Sequence, residues 1–408
     1  MGKVLVNVTQ IVAQQYTDWA YPKPIDDMLA AIARGMHEPD TPALIAPRLW
    51  PERRSLDDLK ILVAGCGTNQ GAYYALMMPR AHVTGIDLSS TSLNHEKFLK
   101  EKHDIHNLTL HRMSLLDVRE LNETYDFIVC CGVLHHLDDP DEGLRALKNV
   151  LRPDGLMSVM VYAPYLRQGI YMLQEAFKLL GLGRSKESID LVKATLKFLP
   201  VRHPASFYIK HAPDIGYDSG IVDTFLHAQD RAYTVGEALQ FVRKNGLDFW
   251  SWIEPAMYSA REAFAPDHPL RHKILALPEE EKWKLIELLT QRFGFHQFFL
   301  CHPERIPKKI MFDQPDWKNF VPVFSPGLKI VEQDDDSEPH VIKLARARYK
   351  FKVGRGANLI KLVDGQRPIS EIATLALEKV PEMTRDWVRS FFTTMHESGH
   401  LMYWRMRS

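Results

Sequence analysis

The sequence predicts an α/β protein, a seven-stranded parallel-type sheet covered by helices on both faces, followed by a small α+β domain. Three observations carry that reading. Between residues 60 and 162, five short runs rich in Val, Ile, Leu and Phe alternate with stretches long enough for crossover helices. A glycine-containing turn directly follows the first run. From about residue 340 the pattern changes to a ribbon and two helices, at Ile369–Glu378 and Arg385–Glu397, with a basic charge excess.

In chain order, the five runs are Lys60–Ala64, His82–Asp87, Leu108–Arg112, Tyr125–Cys131 and Leu156–Tyr162. Runs this uniformly apolar are expected where both faces of a parallel sheet are covered. A helix over Thr234–Asn245, stopped by Gly246, leads to a sixth strand at Leu247–Ile253. A polar helical region around Glu279–Arg292 precedes a seventh at Phe295–Cys301. Between the two halves, residues 164–233 hold helical runs at Ile170–Leu180 and Lys186–Phe198. They read as a cap inserted over the strand edge where open α/β sheets bind ligands.

The 408 residues suggest two or three domains, and 45% hydrophobic with 25% charged residues excludes a disordered chain. Lys and Arg balance Asp and Glu at 51 each, which argues against a general nucleic-acid binder. Four cysteines, Cys66, Cys130, Cys131 and Cys301, are too few and too irregular for a disulfide framework or a zinc site, so no metal is expected. With no apolar run of about 18 residues and no signal-peptide pattern, a cytoplasmic protein without membrane insertion is expected. The oligomeric state is not readable.

The sharpest motif is Val63-Ala64-Gly65-Cys66-Gly67-Thr68-Asn69-Gln70-Gly71, immediately after the first strand. Glycines at 65 and 67 permit positive φ and let a ligand lie against the backbone where strand turns into helix. Twenty residues after Gly67, Asp87 ends the second strand, where a carboxylate can accept both hydroxyls of a ribose. A dinucleotide fingerprint shares this logic but wants Gly or Ala where Gln70 stands. Asp117, in Ser114-Leu115-Leu116-Asp117, follows the third strand. There it either meets an adenine amino group or caps a turn. The fourth strand runs into Cys131-Gly132-Val133-Leu134-His135-His136, and Leu151-Arg152-Pro153-Asp154-Gly155 introduces the fifth.

Together these motifs, in register over residues 60–162, resemble the class I S-adenosylmethionine-dependent methyltransferases. The resemblance implies a Rossmann-like fold with S-adenosyl-L-methionine as cofactor. Gly65, Cys66 and Gly67 would hold its methionine end and Asp87 with Leu88 its ribose. Ser114, Leu115 and Asp117 would hold its adenine, with Cys131 and Gly132 on the methionine side. Ala64 departs from the family pattern, since many members carry an acidic residue there. Tyr16 and Tyr21, in a Tyr- and Pro-containing lead-in, are similar to a lid found in some members, or are anchors for an N-terminal helix.

A sulfonium methyl is already activated, so alignment and exclusion of water are the enzyme's main tasks. A base matters only for a protonated acceptor. Candidates are His135 and His136, which otherwise shape the turn after the fourth strand. Tyr162 ends the fifth strand. His227 and Tyr233 lie in the crowded segment Val222–Tyr233 and are expected on the substrate-side wall.

The expected organisation is a helical lid at 1–55, a catalytic domain at 56–305 with its cap at 164–233, a linker at 306–339, and a C-terminal domain at 340–408. The linker holds the acidic run Glu332–Glu338. Counting from His340, 13 Lys and Arg stand against 6 Asp and Glu. This last segment resembles a winged helix of the peptide-binding type found in pyrroloquinoline-quinone biosynthesis. That implies a peptide or protein acceptor recruited by the basic face, beside the alternative of a small-molecule acceptor; nucleic acid ranks third. A non-catalytic cofactor-binding interaction protein is the other reading.

Overall fold

The computed structural model describes residues 8–52, 55–331, 341–344, 350–352, 356–380 and 383–406. They divide into two compact units. The first holds the described residues up to Glu38 with Asp57–Trp252 and Glu287–Arg305. The second holds Pro39–Leu56 (as far as described), Ile253–Ile286 and the described residues from Ile306 onward.

The first unit is built on a seven-stranded sheet of β1 (Lys60–Ala64), β2 (His82–Asp87), β3 (Leu108–Arg112), β4 (Tyr125–Cys131), β5 (Leu151–Tyr162), β6 (Asp248–Trp252) and β7 (Phe295–Cys301). Their order is β3-β2-β1-β4-β5-β7-β6. The first five are parallel, and β7 is antiparallel to both neighbours. Ile61, Leu62 and Val63 on β1 and Phe127, Ile128 and Val129 on β4 are all buried, as expected for central strands covered on both faces. The order changes direction between β1 and β4, so the loops after these two strands diverge and leave a crevice at their C-terminal ends.

Strand β5 starts five residues earlier than the sequence pattern predicts. Leu151–Gly155 is expected to lead into the strand, but Leu151 already pairs with Tyr125, and the register then shifts before Phe127 pairs with Leu156. The irregularity absorbs the extra residues as a bulge does.

After β5 the cap comprises helices Pro164–Leu179, Lys186–Phe198, Ser206–His211 and Asp218–Phe225. Its own apolar cluster includes Ile170, Leu173, Phe177, Ile189, Val192, Ile221 and Phe225. Gly169 is required there, because a Cβ would come within 2.0 Å of the Ala205 nitrogen. The helix Val235–Lys244 then starts with a capping box between Thr234 and Glu237.

The second unit corrects the expected boundaries. Residues 306–324 are not a linker: Ile310, Phe312 and Phe320 are buried in one cluster with Ile369, Ile372, Val388, Phe392 and Tyr403. Strand Phe320–Phe324 pairs antiparallel with Leu401–Arg405. Residues 39–52 also belong to this unit rather than to an N-terminal lid, and Arg48 donates to the carbonyl of Ile253 at 2.7 Å. Leu328–Val331, Val341–Leu344 and Lys350–Lys352 form a three-stranded antiparallel sheet, and helices Ile369–Lys379 and Arg385–Glu397 follow. The acidic run Glu332–Glu338 lies outside the described residues.

Back in the first unit, Glu96 on the helix Ser90–Lys102 is fully buried and accepts from the N–H groups of Gly71 and Ala72 at 2.7 and 2.8 Å. It thereby holds the start of the helix Gln70–Met77. Burial nevertheless pushes its carboxyl up to about 8. The folded state thus keeps a proton that the unfolded chain releases near its ordinary range. Stability therefore falls as pH rises from about 5 to 8 and levels off above. Glu96→Gln should flatten that fall by on the order of 5 kcal/mol, measured by urea unfolding at several pH values. An unchanged slope would remove Glu96 as its source.

Candidate active site

The site begins where β1 ends. Gly65 and Gly67 both have positive φ, +77° and +56°. At Gly65 a Cβ would meet the Val133 Cγ2 at 2.4 Å, so space and backbone conformation both require glycine. Asp87 at the end of β2 accepts from the Gly67 N–H through Oδ2 at 2.9 Å and from the Ser89 N–H through Oδ1 at 2.7 Å. Burial raises its carboxyl, and those backbone donors oppose the rise.

A cavity of about 790 Å³ opens over this turn. Gly65, Cys66, Gly67, Asp87, Leu88, Ser114, Leu115, Cys131, Gly132, Tyr16 and Tyr21 all line it. Asp117 does not. It is exposed on the 3-10 turn Leu115–Leu121, whose N-terminus is capped by Ser114. Tyr16 and Tyr21 arrive with the N-terminal segment, which is tied to the sheet loops. The Ser89 hydroxyl donates to the Tyr16 carbonyl and the Thr68 hydroxyl to that of Pro22, both at 2.9 Å.

The wall of the cavity below the cap is a hydrogen-bonded cluster. Asp223 on the helix Asp218–Phe225 accepts from Tyr16 Oη at 2.8 Å and from Tyr162 Oη at 3.3 Å. Burial raises its carboxyl, while His136, the Tyr16 hydrogen bond and Arg167 pull it down. The Tyr16 and Tyr162 phenols are pushed well above their ordinary range, first by burial and then by Asp223.

The two histidines that stack at 3.8 Å, His136 and His227, use Nδ1 in opposite senses toward one residue. His136 Nδ1 faces the Gln229 carbonyl at 2.8 Å, which can only accept, so Nδ1 carries a proton and Nε2 is the ring nitrogen left for another partner. His227 Nδ1 accepts from the Gln229 N–H at 3.1 Å. Its Nε2 lies 3.3 Å from Tyr16 Oη, whose own proton goes to Asp223. His227 Nε2–H is therefore the donor. Burial pushes His227 well below its ordinary range, in agreement with a neutral ring. His136, Asp223 and His227 bring possible metal-ligand atoms within 4.8 Å of one another, but this neutral His227 has no lone pair left to give a cation.

Of the other expected catalytic residues, His136 and Tyr162 line the cavity. His227 stands behind Tyr16. His135 is completely buried, its ring centroid 4.1 Å from those of both His136 and Tyr162, and it does not reach the cavity. Burial also holds it well below the usual imidazole range, so it packs as a neutral ring. Tyr233 is buried against Phe241 and Arg231, outside the cavity. Its contribution is its backbone N–H, which donates to the Tyr162 carbonyl at 2.8 Å.

Arg167 was not foreseen. It is buried, pairs with buried Asp230 at 3.1 Å, and stands 3.6 Å over the Tyr162 ring. Nothing local marks it, because it is one cation in an amphipathic helix. Asp214, which accepts from Tyr21 at 3.2 Å and Tyr217 at 2.9 Å, was also missed.

A family model described as a methyltransferase domain matches residues 62–157, from β1 into β5. An uncharacterised protein of Synechococcus sp. is 30% identical over 308 residues, 72% of this chain and 72% of its own length. The malonyl-[acyl-carrier protein] O-methyltransferase of Halalkalibacterium halodurans is 28% identical over 141 residues, 33% of this chain and 51% of that protein. Among solved structures, PKMT2 from Rickettsia typhi in complex with AdoHcy shares the fold with a TM-score of 0.59. It is 19% identical and the match covers 90% of this chain and 76% of that one. The chain belongs to the class I S-adenosylmethionine-dependent methyltransferases, and S-adenosylmethionine is its cofactor. The site fits that molecule: two glycines open the backbone, and the Asp87 carboxylate at the strand end lines the cavity, where it can accept from a diol.

Two consequences are measurable. Asp87→Ala should weaken S-adenosylmethionine binding about 10- to 100-fold by calorimetry, the worth of hydrogen bonds to a charged group. Arg167→Met should destabilise the protein by about 3–5 kcal/mol in denaturant unfolding, because it leaves Asp230 buried without its cation.

Proposed function

We propose that this methyltransferase acts on a hydroxyl or amine acceptor, of a small molecule or a peptide, held under the 164–233 cap against Tyr16, Tyr162 and Asp223. His136 receives the acceptor's proton. The observation that carries the reading is the His136 hydrogen bond: the Gln229 carbonyl occupies Nδ1 and leaves Nε2 for another partner, on a ring that lines the cavity.

The cofactor supplies a methyl group activated on a sulfonium. The chain's residues align the acceptor in line with it, exclude water and remove one proton. Tyr16 and Tyr162 are pinned by Asp223, so their hydroxyl oxygens stand in set positions where an acceptor group can be held. Burial keeps both phenols protonated, so neither competes with His136 as a base. Relatives whose names specify an activity include a ubiquinone biosynthesis O-methyltransferase, which supports a hydroxyl acceptor that loses a proton.

The test uses S-adenosylmethionine with a labelled methyl group and a cell extract separated into small-molecule, lipid and protein fractions. Label should enter one fraction with the native protein. With His136→Gln the transfer rate should fall about 10²- to 10⁴-fold, the usual worth of a positioned base, with cofactor affinity changed only a few-fold. Full transfer by the variant would remove His136 from the proton's path.

A further inference from the structure

The cap carries a surface that the methyl-transfer site does not use. After the helix Lys186–Phe198 the chain turns sharply, with the His203 N–H and the Ser206 hydroxyl both donating to the Pro200 carbonyl, at 2.8 and 3.1 Å. Leu196 and Leu199 anchor this knuckle on the cap's apolar cluster. Phe198 and Val201 point the other way, 86% and 92% exposed, and Phe207 just beyond is 60% exposed. Side chains this free stand off the surface rather than forming the floor of a groove, so no helix or strand of a partner has a slot to occupy. Large apolar groups clustered in this way on a folded surface mark an interaction site.

The charge along this segment is of one sign. Between Asp190 and Asp214 the sequence has Lys193, Lys197, Arg202 and Lys210, with His203 and His211, and no carboxylate. Lys193 is spent on Asp218, while Lys197, Arg202 and Lys210 are exposed beside the apolar tips. Protruding apolar side chains ringed by cations fit the headgroup layer of an anionic bilayer: the tips enter the acyl boundary and the cations meet lipid phosphates. An acidic protein would satisfy the cations but leave Phe198 and Val201 without a pocket.

Phe207 is also part of the cavity lining, together with Tyr208 and His211 of the same short helix. The cavity therefore opens beside the knuckle. We propose that residues 198–207 form a peripheral docking surface for anionic lipid, which sets the mouth of the active-site cavity against the headgroup layer.

Vesicle co-sedimentation of the full chain tests this without any reference to methyl transfer, so it stands or falls apart from the proposed chemistry. Vesicles of phosphatidylcholine with about a quarter phosphatidylglycerol should bind the protein, and pure phosphatidylcholine should bind it at least tenfold more weakly. Binding should drop several-fold when salt is raised from about 0.1 to 0.5 M. The double variants Phe198→Glu/Val201→Glu and Lys197→Glu/Arg202→Glu should each lose at least tenfold in partition while keeping thermal stability and cofactor affinity, since all four side chains are exposed. Absence of binding to the anionic vesicles, equal binding to neutral ones, or native binding by both variants would overturn the proposal. So would capture of an acidic protein through the knuckle with no vesicle binding.

Discussion

The carboxylate of Asp223 is the constraint on which the first unit's active side depends. Its two oxygens take hydroxyls from segments distant in sequence, Tyr16 from the N-terminal helix and Tyr162 from the end of β5, while its own helix belongs to the cap. A buried carboxylate is costly unless its lone pairs are used, so the three segments are held together by the need to satisfy it. The chain Asp223–Tyr16–His227 then runs to Gln229, whose N–H and carbonyl settle the protonation of Nδ1 in both stacked histidines. Replacing any one member changes what its neighbours can donate or accept.

Strands and cofactor turn were legible because they rest on local rules. Buried parallel strands must be apolar on both faces, and only glycine suits Gly65, so β1 to β4, β7 and the Gly65–Gly67 turn appear where the pattern puts them. What failed had a nonlocal cause. Pro153 and Gly155 are residues that strands disfavour, yet pairing with β4 carries the strand through them by a register shift. Asp117 has the right residue type at the right distance from β3, but the 3-10 turn after Ser114 points it to solvent. In the crowded segment before β6, the sequence places imidazole, carboxylate and phenol together without saying which faces inward. Asp223 does, whereas Tyr233 is turned against Phe241.

Unit boundaries show the same limit. A proline-rich stretch with an acidic run reads as a linker, but three apolar residues, Ile310, Phe312 and Phe320, suffice to bind its first part into the core around the C-terminal helices. Arg167 was illegible for the opposite reason. Its meaning lies in Asp230, 63 residues away, and in a tyrosine ring it covers, neither of which leaves any periodic trace.

Burial raises three carboxyls in the first unit, Glu96, Asp87 and Asp223, and in each the donors around it work against the rise. Two of them, Asp87 and Asp223, line the cavity. A ligand with a positive centre that displaces water there favours their ionised forms, so cofactor binding and proton release from these carboxyls are linked in sign. The same exclusion of water that makes the carboxyls costly strengthens their attraction for a sulfonium. Ala64 supplies no carboxylate before the glycine turn, whereas Glu38, Asp87, Asp214 and Asp223 all line the cavity that this turn opens.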